Sequence, residues 1–163
     1  MASTTWHNTI TTPIPGDVEP TAVVKILHDH SFIITLNNLV TAHSKLRDEG
    51  QREIYSITDS IPILPPIWRR SVTYQASFEN KDDGVETWVD APLGLSMHGR
   101  FGEEGGWVLG EEVESKASVL LKGFVEKTMV NAHRKMHASV IERAREAKGE
   151  GADPGGTAST APA

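Results

Sequence analysis

The side chains best able to do chemistry here are seven histidines and a few carboxyl groups that interrupt apolar patterns. Two histidines flank an aspartate in the stretch His28-Asp29-His30. Residues two apart lie about 200° apart around a helix, so this pair could share one metal ion only on an extended segment. The apolar segment 23–27 before it is typical of a helix, and histidine suits a helix C-terminus. We therefore predict the last turn of a helix there, and no metal site.

The other histidines also lack a recognisable ligand spacing. His133 and His137 are four residues apart on the predicted last helix but lack the glutamate of an HExxH motif, so we expect them on its solvated surface. The chain has no cysteine, which excludes thiolate ligands and a cysteine nucleophile. The glycines of GRFGEEGGWVLG flank strands and are interpreted as turn residues, and neither a phosphate-binding loop nor a GxSxG elbow occurs. We predict no cofactor.

Glu111 is the first candidate for catalysis. It alternates with apolar residues between Leu109 and Val113, on the strand face predicted to point inward. Burial would raise the pKa of its carboxyl group and make it a candidate acid. The alternative is a bulge near Gly110 that turns Glu111 to solvent or to a lysine or arginine partner.

Three further polar residues are candidates for a catalytic site, and a fourth, Asp59, is a candidate for its mouth. Tyr74 and Asn131 could donate hydrogen bonds to a ligand carbonyl, or could satisfy each other in the core. His98 belongs to an outer strand face, unless the corner at 92–94 reverses the register and turns it inward. Asp59, beside a proline-rich segment, lies either at a cavity mouth or in a capping position.

The more apolar face of each strand supplies the predicted binding surface. A mostly apolar concavity with a few polar groups is typical of a small-molecule site. The predicted substrate-binding residues are Asn8, Thr87, Val72, Val89, Met97, Trp107, Phe124 and Trp68. Trp68 closes the segment SIPILPPIW, whose three prolines predict a loop that either caps the core or covers a pocket as a lid.

These residues must be positioned by a strand, two helical pieces, about six more strands and one long helix. Alternation predicts the strands, Asp17 is a candidate cap for a helix that carries Glu19 and Pro20 in its first turn, and the period of 3.6 residues returns from about Lys116 to Ala147. This order predicts an α+β fold of the helix-grip type, in which a curved antiparallel sheet of about seven strands wraps around the C-terminal helix. We expect one domain over 1–147 and a disordered Gly/Ala/Pro/Thr-rich tail over 148–163.

Composition narrows the classes of partner. The 163 residues carry a net charge of −6 with no basic cluster, so nucleic acid is not expected as a partner. The sequence contains no run of about 18 apolar residues, so no membrane span is predicted, and the N-terminus lacks the pattern of a signal peptide. We expect a cytoplasmic protein that binds a hydrophobic small molecule; the oligomeric state, including a homodimer, is left open.

The segments LHDHSFIITLNNLV, YSITDSIPILP, VTYQASF, APLGLSMHGRF and ASVLLKGFVEKTMVNAHRKMHASVIERA carry a resemblance over roughly residues 5 to 145. The sequence resembles a family of small fungal proteins of unknown function that is related to the START/birch-pollen-allergen (SRPBCC) superfamily. That resemblance implies a helix-grip fold with a cavity for hydrophobic ligands, and some members of the superfamily are polyketide cyclases. It implies no catalytic residues.

Two functions follow as hypotheses. The first is a cofactor-free cyclase or isomerase of fungal secondary metabolism, which would hold a polyketide or terpenoid near its reactive conformer and promote cyclisation, including a pericyclic Diels–Alder reaction. The alternative is a carrier that binds a lipid or another hydrophobic metabolite without chemistry. A plain interaction module is less favoured, because no exposed apolar helix face is evident.

Overall fold

The computed structural model describes residues 3–64, 68–91, 94–104 and 107–150, and within them all side chains except those of residues 62–64, 68, 103, 104, 120, 121, 124 and 150. The elements are β1 Ser3–Pro13, α1 Pro20–Leu27, α2 His30–Thr35, β2 Val40–Glu49, β3 Arg52–Leu64, β4 Trp68–Lys81, β5 Gly84–Ala91, β6 Leu95–Glu104, β7 Val108–Ser118 and α3 Val119–Glu150.

The seven strands form one antiparallel sheet in the order β1-β7-β6-β5-β4-β3-β2. The predicted alternation holds on β4, where Ala76 and Phe78 are buried and Gln75 is exposed. The sequence Asp82-Asp83-Gly84 predicts a hairpin turn, and a turn at residues 82–83 joins β4 to β5, with Gly84 already in β5 and paired to Lys81. A curved sheet of seven strands with a C-terminal helix, the helix-grip fold, is therefore confirmed.

The short helices α1 and α2 connect β1 to β2, the two edges of the sheet, and α3 packs against α1, β1 and β7. Pro20 begins α1, and the helix buries Val23, Val24 and Leu27. The predicted cap at Asp17 is wrong: Glu19 holds the N-cap position, and Asp17 accepts a hydrogen bond from Arg145 of α3. Asp17 therefore joins the loop before α1 to α3.

Helix α3 begins later and ends later than the sequence predicts. Lys116 and Ala117 remain in β7, where they pair with β1 and Ala117 is fully buried. The helix then continues to Glu150. The predicted disordered tail falls mainly on residues 151–163, which lie outside the described residues, and it stays a prediction.

The proline-rich segment is more regular than predicted. Strand β3 continues to Leu64, with Pro62 paired to Arg69 and an irregular register beside it. A proline is tolerated at such an irregularity because the missing N–H is not needed in the ladder. Residues 65–67 and the side chains of 62–68 lie outside the described residues, so whether they form a cap or a lid stays open.

The core lies between the concave face of the sheet and the three helices. Its fully buried aliphatic side chains include Val23, Leu27, Val85, Leu109 and Val140. Each contributes about 1.5–3 kcal/mol relative to an exposed position. In the described part of the chain, no helix has the length and apolar character needed to cross a membrane.

Candidate functional site

A cavity of about 130 Å³ lies between the inner face of the sheet and the helices α2 and α3. Its volume is close to that of cavities which hold a benzene ring. Its lining is mostly apolar, with a few polar groups. The lining residues are Ile33, Ile34, Asn37, Val40, Ile57, Tyr74, Ala76, Phe78, Thr87, Val89, Met97, Gly99, Phe101, Glu111, Val113, His133 and Met136.

Glu111 projects into the interior from β7. The strand pairs without a bulge at this point, with Ile10 on one side and Phe101 on the other, so alternation carries Glu111 to the same face as Leu109 and Val113. Its side chain is 0% exposed. The alternative in which Glu111 turns to solvent is therefore excluded by the structure.

Two histidines of α3 hold the Glu111 carboxylate. His133 Nδ1 lies 2.5 Å from Oε1, and His137 Nε2 lies 3.2 Å from Oε2. The histidines are four residues apart, so both rings project from one face of the helix. Phe101 stacks on His133 with ring centroids 6.0 Å apart and meets His137 edge-on at 6.3 Å. The aromatic contacts fix the orientation of both rings.

The hydrogen bonds also determine which nitrogen carries each proton. An ionised carboxylate only accepts, so His133 donates from Nδ1 and His137 donates from Nε2. Thr12 Oγ1 lies 2.9 Å from His137 Nδ1, and its hydroxyl donates to that nitrogen when the ring is neutral. In neutral His133 the remaining nitrogen, Nε2, is a free base on a ring that lines the cavity, with no hydrogen-bond partner among the described side chains.

The predicted direction of the Glu111 pKa is wrong. Burial raises the pKa, as expected, but the hydrogen bonds and charge of His133 and His137 outweigh it and hold the pKa below its ordinary value of 4.5. Glu111 is therefore a carboxylate that orients and polarises histidine, and is not itself poised as an acid.

A second polar pair lies on the opposite part of the sheet, on β3 and β4. The oxygens of the Tyr74 hydroxyl and Asp59 Oδ2 are 3.0 Å apart. Tyr74 lines the cavity, and Asp59 lies behind it with 7% exposure. Burial raises the pKa of both groups. For Asp59 the Tyr74 hydroxyl and the Asn37 amide oppose this shift.

Five of the residues singled out in the sequence share the cavity: Tyr74, Thr87, Val89, Met97 and Glu111. Their roles in binding or catalysis stay predictions. Asn8 and Asn131 line a separate surface groove between β1 and α3, and Asn131 is exposed there. The structure therefore does not bring Asn131 together with Tyr74.

The other predicted site residues lie elsewhere. His98 is on the outer face, where its ring stacks on Trp88 and Nε2 lies 2.6 Å from Glu86 Oε1, so the register between β5 and β6 is not reversed. Trp107 is 54% exposed, and half-buried Val72 does not line the cavity. The side chains of Trp68 and Phe124 lie outside the described residues.

The His28-Asp29-His30 stretch is a junction between two helices. His28 is the C-cap of α1 and Asp29 is the N-cap of α2, accepting a hydrogen bond from the Phe32 N–H. His30 is not in a last turn, as predicted; it opens α2 and is buried between Glu53 and Asn80. Among the described residues, no group of three or more His, Cys, Asp or Glu side chains could hold a metal ion.

Sequence reasoning missed His133 and His137, which were predicted to be on the surface. His137 is 1% exposed, and the His133 ring lines the cavity. The missed signal is their spacing: both continue the apolar stripe of Met129, Met136 and Val140, which faces the sheet. Two histidines on a buried stripe need a buried group that accepts their hydrogen bonds. Glu111 was the acidic residue predicted on the inward face of the sheet, so the pairing could have been proposed from the sequence.

Comparison with known proteins gives a family and a fold. The profile of the family described as Domain of unknown function (DUF7053) matches residues 3–146. No curated protein matches the sequence.

Several solved structures are similar to this chain at low sequence identity. The di-domain ARO/CYC protein BexL, from the BE-7585A biosynthetic pathway, is 11% identical over 86% of this chain with a TM-score of 0.65, and the chain spans 50% of that protein's length. A point mutant of Thalictrum flavum norcoclaurine synthase, in complex with a transition-state analogue, is 13% identical with a TM-score of 0.60, covering 91% of this chain and 99% of that one. The STAR-related lipid transfer protein of Xanthomonas axonopodis is 15% identical with a TM-score of 0.53, covering 82% and 85%. At these identities the likeness establishes the fold alone.

Proposed function

The chain belongs to the DUF7053 family, and from this premise and the geometry of the cavity we propose that it is a cofactor-independent acid–base catalyst acting on a hydrophobic small molecule. One observation carries the proposal. A histidine that lines the cavity, His133, is held by a fully buried carboxylate, Glu111.

In this proposal His133 Nε2 is the general base. It takes a proton from the bound molecule, and Glu111 stabilises the imidazolium that forms, because a carboxylate next to the ring favours its charged state. The imidazolium then returns the proton to another atom of the molecule. Proton removal and return at different atoms is isomerisation, and capture of the carbanion by an electrophilic carbon of the same molecule is cyclisation.

The apolar lining selects the kind of molecule. Most cavity residues offer aliphatic or aromatic surface, and the volume suits one ring or the reacting part of a larger compound. A polyketide or terpenoid of fungal secondary metabolism, the substrate class hypothesised from the sequence, is the proposed substrate class. An acid–base cyclisation fits the dyad better than a Diels–Alder reaction, which has no proton to transfer.

Proteins with this fold support the proposal. The structures that resemble the chain include an aromatase/cyclase and norcoclaurine synthase, so this fold can carry enzymes, a cyclase among them. The residues proposed here come from this chain's own geometry and from no relative.

A generic probe tests the base. Benzisoxazole is a compact aromatic compound; loss of its ring C–H proton to a base breaks the N–O bond and releases a cyanophenolate that absorbs in the ultraviolet. The protein should accelerate this elimination, and His133→Gln should abolish the acceleration. His7→Gln is the matched control, because His7 is 71% exposed in a surface pair with Glu114. Equal rates in His133→Gln and the unmodified protein would refute the base assignment.

The alternative is a non-catalytic carrier, which the predominantly apolar lining and the likeness to a lipid transfer protein favour. A carrier would bind hydrophobic molecules without accelerating the elimination. Native mass spectrometry of freshly purified protein separates the two: an intact lipid that travels with an inactive protein supports the carrier.

A further inference from the structure

Asp59 is a buried carboxyl group with an oxygen that has no partner. Oδ2 lies 3.0 Å from the Tyr74 hydroxyl oxygen, while Oδ1 is buried without a hydrogen-bond partner among the described residues. The chain therefore holds a second acidic group beside the cavity, on the strands opposite β7, which the His133–Glu111 dyad does not use.

The surroundings of Asp59 favour its neutral form. Burial raises its pKa by more than the Tyr74 hydroxyl and the Asn37 amide lower it, and among the described residues no lysine, arginine or histidine charge acts on it. A buried carboxylate without a cationic partner carries a large desolvation cost, which protonation removes. Glu111 has the opposite environment, with two histidines that keep it ionised. Two carboxyl groups whose pKa values are shifted in opposite directions are a common basis for separate acid and base roles.

Protonation of Asp59 decides what Tyr74 can do. An ionised Asp59 would occupy the Tyr74 hydroxyl hydrogen as an acceptor. In the structure the Tyr74 hydroxyl donates to Asp59 Oδ2. Once Asp59 is protonated, its Oδ2 hydroxyl can donate to the Tyr74 oxygen instead, and the phenol hydrogen is then free to point into the cavity that the Tyr74 ring lines. The pair then acts as one donor, with Asp59 as the positioning residue behind Tyr74.

We propose that the Asp59–Tyr74 pair is a hydrogen-bond donor site for a carbonyl oxygen, so that the substrate is an enolisable carbonyl compound. This inference rests on the proposed function, because the hydrogen-bond donor at Tyr74 would act on the same substrate as the general base His133. A sphere of about 130 Å³ is about 6 Å across. A carbonyl group and its neighbouring carbon can therefore lie between the two walls.

The step balances as an enolisation. His133 Nε2 accepts the proton of the carbon next to the carbonyl, the C–H electron pair becomes the carbon–carbon double bond, and the carbonyl π pair moves onto oxygen. The Tyr74 hydroxyl stabilises that oxygen. Attack of the enolate carbon on an electrophilic carbon closes a ring, and the imidazolium gives its proton to the oxygen anion that ring closure produces.

Two probes of equal shape test the donor. Cyclohexanone has a carbonyl oxygen where methylenecyclohexane has a CH₂ group, and their affinities can be measured by NMR titration. Replacing Tyr74 by Phe should lower the ratio of ketone to alkene affinity by about threefold to tenfold, the value of one hydrogen bond. Tyr55→Phe is the matched control, because the Tyr55 hydroxyl donates to Glu53 and the ring does not line the cavity.

Variants of Asp59 test its positioning role. Asp59→Asn should keep the ratio, because the amide N–H₂ donates to the Tyr74 oxygen as the neutral carboxyl does. Asp59→Leu should lower the ratio, because it leaves the phenol without an orienting partner; if this variant does not fold, the asparagine variant and Tyr74→Phe carry the test. Three results would overturn the proposal. They are a ketone-to-alkene affinity ratio that is unchanged in Tyr74→Phe, a ratio that falls in Asp59→Asn, or no binding of cyclohexanone at millimolar concentration.

The outcome is independent of the base assignment. The base is read from the loss of benzisoxazole elimination in His133→Gln, and the donor is read from the ketone-to-alkene affinity ratio in Tyr74→Phe, so the two measurements test different residues. A Tyr74-dependent ketone preference without elimination would keep the carbonyl site and reject the base. Elimination without that preference would reject the carbonyl site alone.

Discussion

Replacement of Glu111 by glutamine tests the dyad most directly. Glutamine keeps the length and shape of the side chain at a position with no spare room, since Glu111 is fully buried between β7 and α3. Its amide oxygen can still accept from His133 Nδ1. Its N–H₂ can face His137 Nε2, provided that His137 changes tautomer and donates from Nδ1 to Thr12. The variant therefore removes the charge with little change in packing.

The expected loss of rate follows from the separation of the charges. With His133 Nδ1 2.5 Å from Oε1, the carboxylate and imidazolium centres are about 4 Å apart, which gives about 4 kcal/mol at an effective dielectric constant of about 20. The retained amide hydrogen bond offsets about 1 kcal/mol of this. A net loss of about 3 kcal/mol corresponds to a rate lower by about a hundredfold.

The assay is benzisoxazole elimination under conditions where both proteins are folded, checked by circular dichroism. Glu114→Gln is the control, because the same change on the same strand affects an outward-facing side chain paired with His7. It should leave the rate unchanged. A Glu111→Gln rate within threefold of the unmodified protein would refute the argument, since it would mean that the carboxylate does not stabilise the protonated ring.

Two predictions concern stability. The hydrogen bond from Lys45 is the main cause that lowers the pKa of Glu53 from 4.5 to about 2; its carboxylate therefore stabilises the fold above pH 4.5, and this contribution is lost as the pH falls towards 2. Melting temperatures of Glu53→Gln and the unmodified protein should differ above pH 4.5 and converge at low pH, and a difference independent of pH would contradict this. A Cβ atom at Gly84 would lie 1.9 Å from the Phe101 carbonyl oxygen, whereas one at Gly16 meets nothing within 4 Å. Gly84→Ala should therefore lower the melting temperature by several degrees, at about 2–4 °C per kcal/mol, and Gly16→Ala should not; equal effects would show that the sheet adjusts freely at this position.

The repeating patterns of the sequence determined the architecture. Period-two alternation on about seven segments and a return to period 3.6 near the C-terminus predicted the order of elements, and the more apolar face of the strands that line the cavity is the inward one. For this reason Tyr74, Thr87 and Glu111 were placed on the correct face. Such patterns are local, because each follows from which face of one element is withdrawn from water.

The partners across the cavity were decided by the tertiary structure alone. Glu111 is 22 residues from His133 and 26 from His137, and no local pattern states that α3 crosses β7 with these side chains facing each other. The same limit explains the wrong pKa direction for Glu111, since burial was visible in the sequence and the two compensating histidines were not. Asp59 received a neutral environment and Glu111 a charged one for the same physical reason: the pKa of a buried carboxyl depends on which groups the fold brings within hydrogen-bond distance, and that choice is made by packing between elements distant in the chain.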